Sequence, residues 1–544
     1  MADEYALLWN LDVDSIETAA THWRQLSAQL ESAHTAHRRN VTGPLKEAGW
    51  TGEAATSAFL FLDGIETRLE VGCVEAETIG TVLSTVHQRM SSAKSDLRAV
   101  VAEAEGAGYT VGDDGTVYPP PQHSRYEAEE GAHQLAGYRT RVSCALTAAR
   151  QASEDGRAAL AALHGDVMAQ YRPHALNEAA NDTEAAMLYM GIKEPKPPKD
   201  PQAAADWWQG LTPDQQREYI LYYPEIVGSL DGLPAVDRDR ANRLALDEQL
   251  DDPTWVTGHD YGVGTSAVLD PRYVGLEKLK EALEAHDDAP PGRELYLLDF
   301  QGAGDGQVVI AQGNPDTAAF TGVYVPGTDT TLGGVSGSLN RIDHLQRAAQ
   351  DAHPNGSVST VFWLGYDAPE IDASVTSTWR ADDGAPDLRH FIAGTRAAQG
   401  PEHHHITVIG HSYGSTVVGT AATGGHLGAD DIVAVGSPGM NGYADQFGIP
   451  RDHVYVGKSP SDPIAKFFSG ATLGVDPAGP NFGASQFEVA NGDHSSYFDE
   501  GSKGLENMGR IIAGQDPTLV HPAPEVDPPR PPTAPPIHRY PTIS

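Results

Sequence analysis

The stretch VIGHSYGSTVVG, residues 408–419, decides how the second half of the chain folds. An apolar, β-branched run precedes Ser412, and small residues that predict a helix follow it. Gly410 and Gly414 flank the serine at two positions on either side. A strand, a sharp turn and a helix in this order are typical of a nucleophile elbow, where larger side chains at the glycine positions would strike the neighbouring elements. The pattern therefore predicts a nucleophilic Ser412, with a plain tight turn as the alternative.

Short apolar runs on both sides of this stretch predict a sheet. They alternate with helical or loop segments, an order typical of a mainly parallel sheet covered by helices on both faces. Ligands of such sheets bind beyond the carboxyl ends of the strands, which is where Ser412 falls. The runs are ELYLLDF, GQVVIAQG, AFTGVYVPGT, STVFWLGY, HITVIGHS, DIVAVGSPG and DHVYVGKS.

A serine hydroxyl needs a base to take its proton and a carboxylate to orient that base, in the chain order Ser, acid, His. We predict His494, in a loop after the last β-like run, as the base and Asp462, just past a strand's carboxyl end, as the acid. A surface histidine and an Asx-turn cap are the respective alternatives. Asp493 is the fallback acid, although a direct neighbour of His494 is poorly placed to reach its ring.

Negative charge on a substrate oxygen needs backbone donors. We predict the N–H of Tyr413, the residue after the nucleophile, as one donor of an oxyanion hole. Gly327 or Thr328, in the VYVPGTDT segment that ends an earlier strand, supplies the second, unless that segment is an ordinary Pro-Gly turn.

No cofactor and no metal are expected. The sequence has no strand followed by GxGxxG or a Walker loop, and serine chemistry needs neither. The adjacent residues His403, His404 and His405 cannot easily surround one ion, so we expect a solvated loop there. His411 is expected to point away from the elbow.

The 544 residues exceed what one hydrophobic core usually spans, so two or more domains are expected. Apolar residues recur at three and four positions from Asp14 to Tyr189, which predicts long helices with a break at Gly43 and Pro44 and a small hairpin at GYTVGDDGTVYPPPQ. The predicted order is an all-α helical-bundle domain (1–192), a Pro-rich linker (193–205), the sheet domain (206–515) with a helical N-terminal segment (206–286), and a Pro-rich disordered tail (516–544).

The formal charge of −38 argues against nucleic acid as a partner. No apolar stretch approaches the roughly 20 residues of a membrane span, and the N-terminus has no Sec signal. Cytoplasmic location and a leaderless export route both stay open. Cys73 and Cys144 lack metal-site spacing; we favour two buried thiols, and their pairing is left open.

The segment from DWWQGLTPDQQ to GSLDGLPAVDRDRANR resembles an actinobacterial α/β-hydrolase family of unknown function, over about residues 206–515. Ser229 stands where the family pattern usually has asparagine. The resemblance implies an α/β hydrolase fold and hydrolase activity. The GSPG and SDPI segments look like lipase and cutinase counterparts, and Asp462 matches the acid of lipase-like hydrolases.

Trp50, Thr51 and Gly52, between two predicted long helices, resemble the turn of WXG-type helical hairpins, which pair with one another and accompany type VII secretion. Tyr126 and Glu130 match the loose spacing of that system's export signal, at the start of a third helix. The resemblance implies a helical WXG-type partner or a homodimer through residues 1–190. A buried tryptophan that closes the hairpin is the alternative.

Together these patterns predict a serine hydrolase that acts through a Ser-His-Asp triad and an acyl-enzyme. Its expected substrates are carboxylic or lipid esters, either small molecules or lipids. A peptidase or amidase with the same triad is one alternative. A type VII secretion-associated interaction module that carries a hydrolase-like domain is the other.

Overall fold

The computed structural model describes residues 2–121, 125–163, 174–251, 256–257, 268–269, 271–287, 289–302 and 306–521. The chain forms two compact units. The first comprises Met1–Lys196, Pro213–Tyr223 and Asp247–Thr254, and the second comprises Pro197–Thr212, Pro224–Leu246 and Trp255–Ser544. Within the described part of the chain, no helix has both the length and the apolar character needed to cross a membrane.

The N-terminal half is helical, as its apolar periodicity predicts. A π-helical turn, Arg38–Thr42, joins the second and third helices. The elements are α1 (Ala2–Asn10), α2 (Asp14–His37), α3 (Gly43–Glu47), α4 (Glu53–Gly106), β1 (Thr110–Val111), β2 (Val117–Tyr118), α5 (Arg125–Ala162) and α6 (Ala175–Tyr189).

Two local features of this half differ from the sequence-based expectation. The prediction that Gly43 and Pro44 end a helix is wrong, because Pro44 lies in the first turn of α3, where its missing N–H costs no hydrogen bond. The helical path breaks instead at residues 48–52, just before α4. Trp50 in this turn is 42% exposed, so it is not a buried residue that closes the hairpin.

The predicted small hairpin is confirmed, because β1 and β2 pair antiparallel around Asp114 and Gly115. The expectation of two buried thiols is wrong for one of them: both cysteines are free, with Cys73 buried and Cys144 exposed. The side chains of Tyr126 and Glu130 lie outside the described residues.

The predicted linker contains the start of a helix. Asp200 caps it by accepting a hydrogen bond from the Ala203 N–H, and Pro201 occupies the first turn. The elements that follow are α7 (Pro201–Gln209), α8 (Pro213–Tyr222), α9 (Pro224–Ser229), α10 (Ala235–Leu250), β3 (Val256–Thr257), β4 (Val268–Leu269) and α11 (Pro271–Glu284).

The remaining elements alternate between strands and helices. They are β5 (Leu295–Gln301), β6 (Gln307–Gln312), β7 (Phe320–Val325), α12 (Val335–Ala352), β8 (Val358–Leu364), α13 (Trp379–Gln399), β9 (His405–His411), α14 (Tyr413–Thr423), β10 (Asp431–Val435), β11 (Val454–Gly457), α15 (Pro463–Phe467), β12 (Ser485–Phe487), α16 (Lys503–Ile512) and β13 (Leu519–His521).

The second unit is built on a nine-stranded sheet of order β13-β12-β11-β10-β9-β7-β8-β6-β5. The strands from β8 through β7 and β9 to β12 are mutually parallel, which confirms the predicted mainly parallel sheet. Strand β6 runs antiparallel to both of its neighbours. Strand β13 pairs antiparallel with β12, so residues 519–521 of the predicted disordered tail are ordered; residues 522–544 lie outside the described range.

Chain order reverses between β7 and β9, which are neighbours in the sheet although β8 lies between them in sequence. Helices α12 and α16 pack on each other, and Ile512 of α16 lies against Gly322 of β7. Helices α13 and α14 pack together against the sheet at β9. A crevice at the carboxyl ends of β7 and β9 is the expected ligand site of such a fold.

Candidate active site

Ser412 lies at the turn between β9 and α14, at the reversal point of the sheet. Its backbone has φ 55° and ψ −132°, and it is one of three non-glycine residues with positive φ in the described chain. A Cβ at Gly410 would lie 2.5 Å from Ser415 Cα, and one at Gly414 would lie 2.2 Å from the Val325 carbonyl oxygen. Both flanking positions therefore have room only for glycine. Ser412 itself is 7% exposed.

The structure brings the predicted acid and base together. The Nδ1 atom of His494 lies 3.0 Å from both carboxylate oxygens of Asp462 and donates its N–H to them. Asp462 is fully buried and also caps α15, because its Oδ1 accepts the N–H of Ile464 at 2.9 Å. Asp462 therefore contacts His494 and caps α15 at the same time.

A tyrosine that sequence reasoning missed completes the environment of Asp462. The Tyr497 hydroxyl donates to Asp462 Oδ2 at 2.8 Å and accepts the Ser459 N–H at 3.0 Å. Burial acts to raise the pKa of Asp462, but the hydrogen bonds from His494 and Tyr497 and the charge of His494 outweigh it and lower the pKa below its ordinary value. The carboxylate is therefore ionised at neutral pH.

His411 does not point away from the site, contrary to expectation. Its Nε2–H donates to the His494 carbonyl oxygen at 2.8 Å, and the two imidazole rings lie 4.7 Å apart. Burial, aided by the charges of His494 and Arg341, lowers the pKa of His411 to about 3. The ring is thus neutral and positions the backbone of His494. No sequence signal distinguishes this histidine from any other strand-end residue.

Gly436, at the end of β10, was also missed. It has φ +59°, and a Cβ there would lie 3.0 Å from Asp462 Oδ2 and 3.1 Å from His494 Nδ1. The absence of a side chain leaves room for the acid and base to meet. The GSPG pattern, noted in the sequence only for its likeness to lipases, was the available signal.

The residues predicted for the oxyanion hole surround Ser412. A Cβ at Gly327 would lie 2.5 Å from Ser412 Cβ, so the loop after β7 passes directly over the serine. Tyr413 is the first residue of α14, whose leading N–H groups have no acceptor within the helix. Among the described residues, the N–H groups of Gly327 and Thr328 donate to no protein acceptor.

A cavity of about 660 Å³ opens above the serine. Its lining includes Ser412 and His494, together with the Thr328 loop. Six apolar side chains are part of the lining, and two of them are exposed: Ile371 by 80% and Phe468 by 58%. The other four are Val375, Pro438, Ile464 and Leu473.

The alternative residues lie elsewhere or are otherwise engaged. Asp493 accepts the backbone N–H groups of Ser495 and Ser496. His405 bonds to Asp431, and His403 lies 3.2 Å from Asp430, both at the amino end of β10. No group of side chains suited to a metal ion occurs among the residues that the structure describes.

Comparison with known proteins agrees with this architecture. The family model described as Alpha/beta hydrolase matches residues 301–472. An uncharacterized protein of Mycobacterium tuberculosis is 26% identical over 551 aligned residues, covering 87% of this chain and 82% of its own length. An uncharacterized protein of Mycobacterium bovis is 34% identical over 201 residues, covering 35% of this chain and 73% of its own length. The chain therefore belongs to one family with these mycobacterial proteins, and its C-terminal part contains an alpha/beta hydrolase domain.

Proposed function

We propose that the protein is a serine hydrolase that cleaves esters of carboxylic acids through an acyl-enzyme on Ser412. The observation that carries the proposal is the convergence of three side chains that are distant in sequence. Ser412, with its strained backbone, and His494 line one cavity, and the buried carboxylate of Asp462 holds the His494 Nδ1–H. Strained backbone at a non-glycine residue persists only where the surrounding structure enforces it, and such residues cluster at functional sites.

The proposed chemistry uses these three side chains. Ser412 Oγ attacks the substrate carbonyl carbon while His494 Nε2 takes the hydroxyl proton, and Asp462 fixes the imidazole tautomer and stabilises the imidazolium. The oxyanion accepts hydrogen bonds from the N–H of Tyr413 and from Gly327 or Thr328. His494 then donates its proton to the departing alcohol. Water next attacks the acyl carbon while His494 takes a proton from it, and His494 returns that proton to Ser412 Oγ as the carboxylic acid leaves.

The cavity supports an ester with a hydrocarbon part. Its apolar lining residues, among them the exposed Ile371 and Phe468, offer contact to an acyl chain. An ester is favoured over an amide because an alkoxide is the better leaving group, although the same triad serves peptidases and amidases.

Labelling by a fluorophosphonate tests the proposal. We expect mass spectrometry of the intact wild-type chain to show a single adduct, because such reagents capture a serine activated by a base. Ser412→Ala should abolish the adduct and His494→Ala should nearly do so. Ser357→Ala, the same change at an exposed serine just before β8, is the matched control and should label as wild type. A folded wild-type chain that forms no adduct contradicts the proposal.

A second candidate function concerns the first unit, which exposes apolar side chains near the start of α4. Leu60 and Phe61 are both about two-thirds exposed, and nearby the exposed Trp50 ring contacts the half-buried Phe59 ring. Exposed apolar clusters of this kind mark protein interaction sites. This surface favours an interaction module of WXG type, in the form of a homodimer or a pair with another helical protein, as would suit type VII export.

Sedimentation velocity of the full chain over a range of concentrations tests the homodimer. A dimer that the double variant Leu60→Glu/Phe61→Glu abolishes supports it, whereas a monomer at every concentration overturns it. Leu7→Glu/Leu188→Glu, which charges two leucines exposed elsewhere on the same unit, is the matched control.

A further inference from the structure

One wall of the active-site cavity is polar and follows a single face of α12. Ser338 and Arg341 line it, with Gly334 and Gly337 one turn earlier. Residues at these spacings share one face of a helix. A Cβ at either glycine would meet no atom within 4 Å, so this wall is open to a ligand along its length.

Arg341 is fixed at the inner end of this wall. Its Nη1–H donates to the Tyr324 hydroxyl at 2.7 Å. Its guanidinium carbon lies 5.5 Å from the centre of the Phe498 ring and 5.9 Å from that of Tyr324. Contact with two buried rings holds the planar group in one orientation and removes part of its hydration.

No carboxylate balances this charge in the described part of the protein. No Asp or Glu oxygen among the described residues lies within 4.0 Å of the Arg341 guanidinium, although the chain carries 75 acidic residues. Asp329 also lines the cavity, but it is exposed at the mouth and forms no ion pair with Arg341. A half-buried arginine without an anionic partner has donors left for a ligand.

Arg341 is close to the reacting groups. The Phe498 ring beneath it lies 5.3 Å from the ring of His411, which in turn lies 4.7 Å from that of His494. All of these residues except Phe498 line the same cavity, with Ser412 at its base. A molecule that spans this cavity can therefore reach the serine and the guanidinium at once.

We propose, on the basis of the ester hydrolysis above, that the substrate is an ester that also carries an anionic group, a carboxylate or a phosphate, bound by Arg341. A guanidinium matches both groups with paired N–H donors. The hydrocarbon part lies against the apolar residues of the same cavity, such as Ile464 and Leu473. The substrate class is thus an amphiphilic, negatively charged ester.

Matched p-nitrophenyl esters test the inference. The two members of a pair have acyl chains of the same length, which end in a methyl group in one and in a carboxylate in the other. In a further set of probes the acyl chain ends in a phosphate. The wild-type chain should hydrolyse an anionic probe with kcat/KM at least about tenfold above its neutral partner, as expected for a charge-assisted hydrogen bond. Whichever anionic series is favoured identifies the group that the site selects.

The decisive quantity is the preference ratio, which is kcat/KM for the anionic probe divided by kcat/KM for its neutral partner. Damage to folding or to Ser412 affects both probes equally and leaves this ratio unchanged. Arg341→Gln should reduce the ratio about tenfold or more, and Arg341→Lys should retain part of it. Arg347→Gln removes a positive charge at an exposed position of the same helix and should leave the ratio unchanged.

Three results overturn the inference. They are a wild-type ratio near one, an unchanged ratio in Arg341→Gln, or an equal fall in Arg347→Gln, which would indicate only long-range charge. Failure of the proposed ester hydrolysis is distinct, because it appears as the lack of a fluorophosphonate adduct on Ser412. If the adduct forms and the anionic and neutral members of each pair are hydrolysed equally well, the inference fails alone.

Discussion

Two residues around the acid and base, Gly436 and Tyr497, act on the site without any reactive role of their own. Gly436 leaves space where the Asp462 and His494 side chains meet, and Tyr497 donates a hydrogen bond that holds a carboxylate oxygen of Asp462 in place. Neither touches a substrate carbonyl in the proposed mechanism. Both are therefore positioning residues, and their replacement should change the rate of hydrolysis more than the fold.

Gly436→Ala should slow hydrolysis strongly, because the added methyl group would lie about 3 Å from both members of the acid-base pair. Positive φ also costs an alanine about 1–2 kcal/mol of folding free energy. Gly501→Ala is the matched control, since Gly501 has φ +72° but no atom within 4 Å of a Cβ. Hydrolysis rates and thermal unfolding should show a similar loss of stability in both variants and a loss of activity in Gly436→Ala alone. Equal activity in the two would contradict the assigned role.

Tyr497→Phe should lower kcat about tenfold while the fold persists, because Asp462 loses a charge-assisted hydrogen bond and orients His494 less firmly. Without that bond the pKa of Asp462 should rise towards its ordinary value. Hydrolysis should therefore fail at a higher pH in the variant as the solution is made acidic. An unchanged pH-rate profile would show that the hydroxyl only supports the Ser459 loop.

At the residue level, the sequence predicts the site from local pattern: Ser412 from its glycines, and Asp462 and His494 from chain order and position past a strand. The structure places Ser412 and His494 at one cavity and Asp462 against His494. His411 and Tyr497 were missed because their roles arise from tertiary contacts with His494 and Asp462, which no spacing along the chain encodes.

At the scale of elements, three elements meet at the elbow: β9, α14 and the end of β7. The Val325 and Pro326 carbonyl oxygens lie directly against Gly414, so α14 can pack against the end of β7 only because residue 414 has no side chain. The same contact places the loop of Gly327 and Thr328 over the serine.

Gly414→Ala should destabilise the second unit by several kcal/mol or prevent its folding, because its Cβ would lie 2.2 Å from backbone. Gly425→Ala, just beyond the other end of α14, would make ordinary contacts at 3.5 Å and should be nearly neutral. Urea denaturation compares the two. Equal stabilities would show that β7 and α14 can separate without cost.

The seven apolar runs predicted from sequence correspond to β5 through β11, because buried parallel strands are nearly continuous apolar segments. The short strands β12 and β13 were missed, since three residues with mixed polarity give no periodic signal. The antiparallel direction of β6 was equally invisible, because direction depends on the connection and not on composition.

At the scale of the whole molecule, a buried histidine couples the active site to folding stability. The pKa of His411 is about 3 in the native protein, chiefly because of burial, and about 6.5 in an unfolded chain. Between these values the unfolded state binds a proton that the native state excludes. Stability is therefore complete above about pH 6.5 and falls as the pH drops towards 3, by up to about 1.4 kcal/mol per pH unit.

His411→Gln should flatten this dependence, because it removes the titrating ring and keeps an N–H donor for the His494 carbonyl oxygen. Urea denaturation at a series of pH values measures it. His426→Gln, the same replacement at an exposed position, is the control and should follow wild type. Parallel curves for wild type and His411→Gln would contradict the coupling.

The left-handed backbone of Ser412 has a kinetic consequence. Because the fold itself holds Ser412 in this conformation, the backbone of the proposed nucleophile needs no rearrangement when a substrate arrives. A flexible loop would lose backbone conformational entropy at each turnover, whereas here that entropy is lost once, during folding. Turnover should therefore start without a lag when enzyme and ester are mixed.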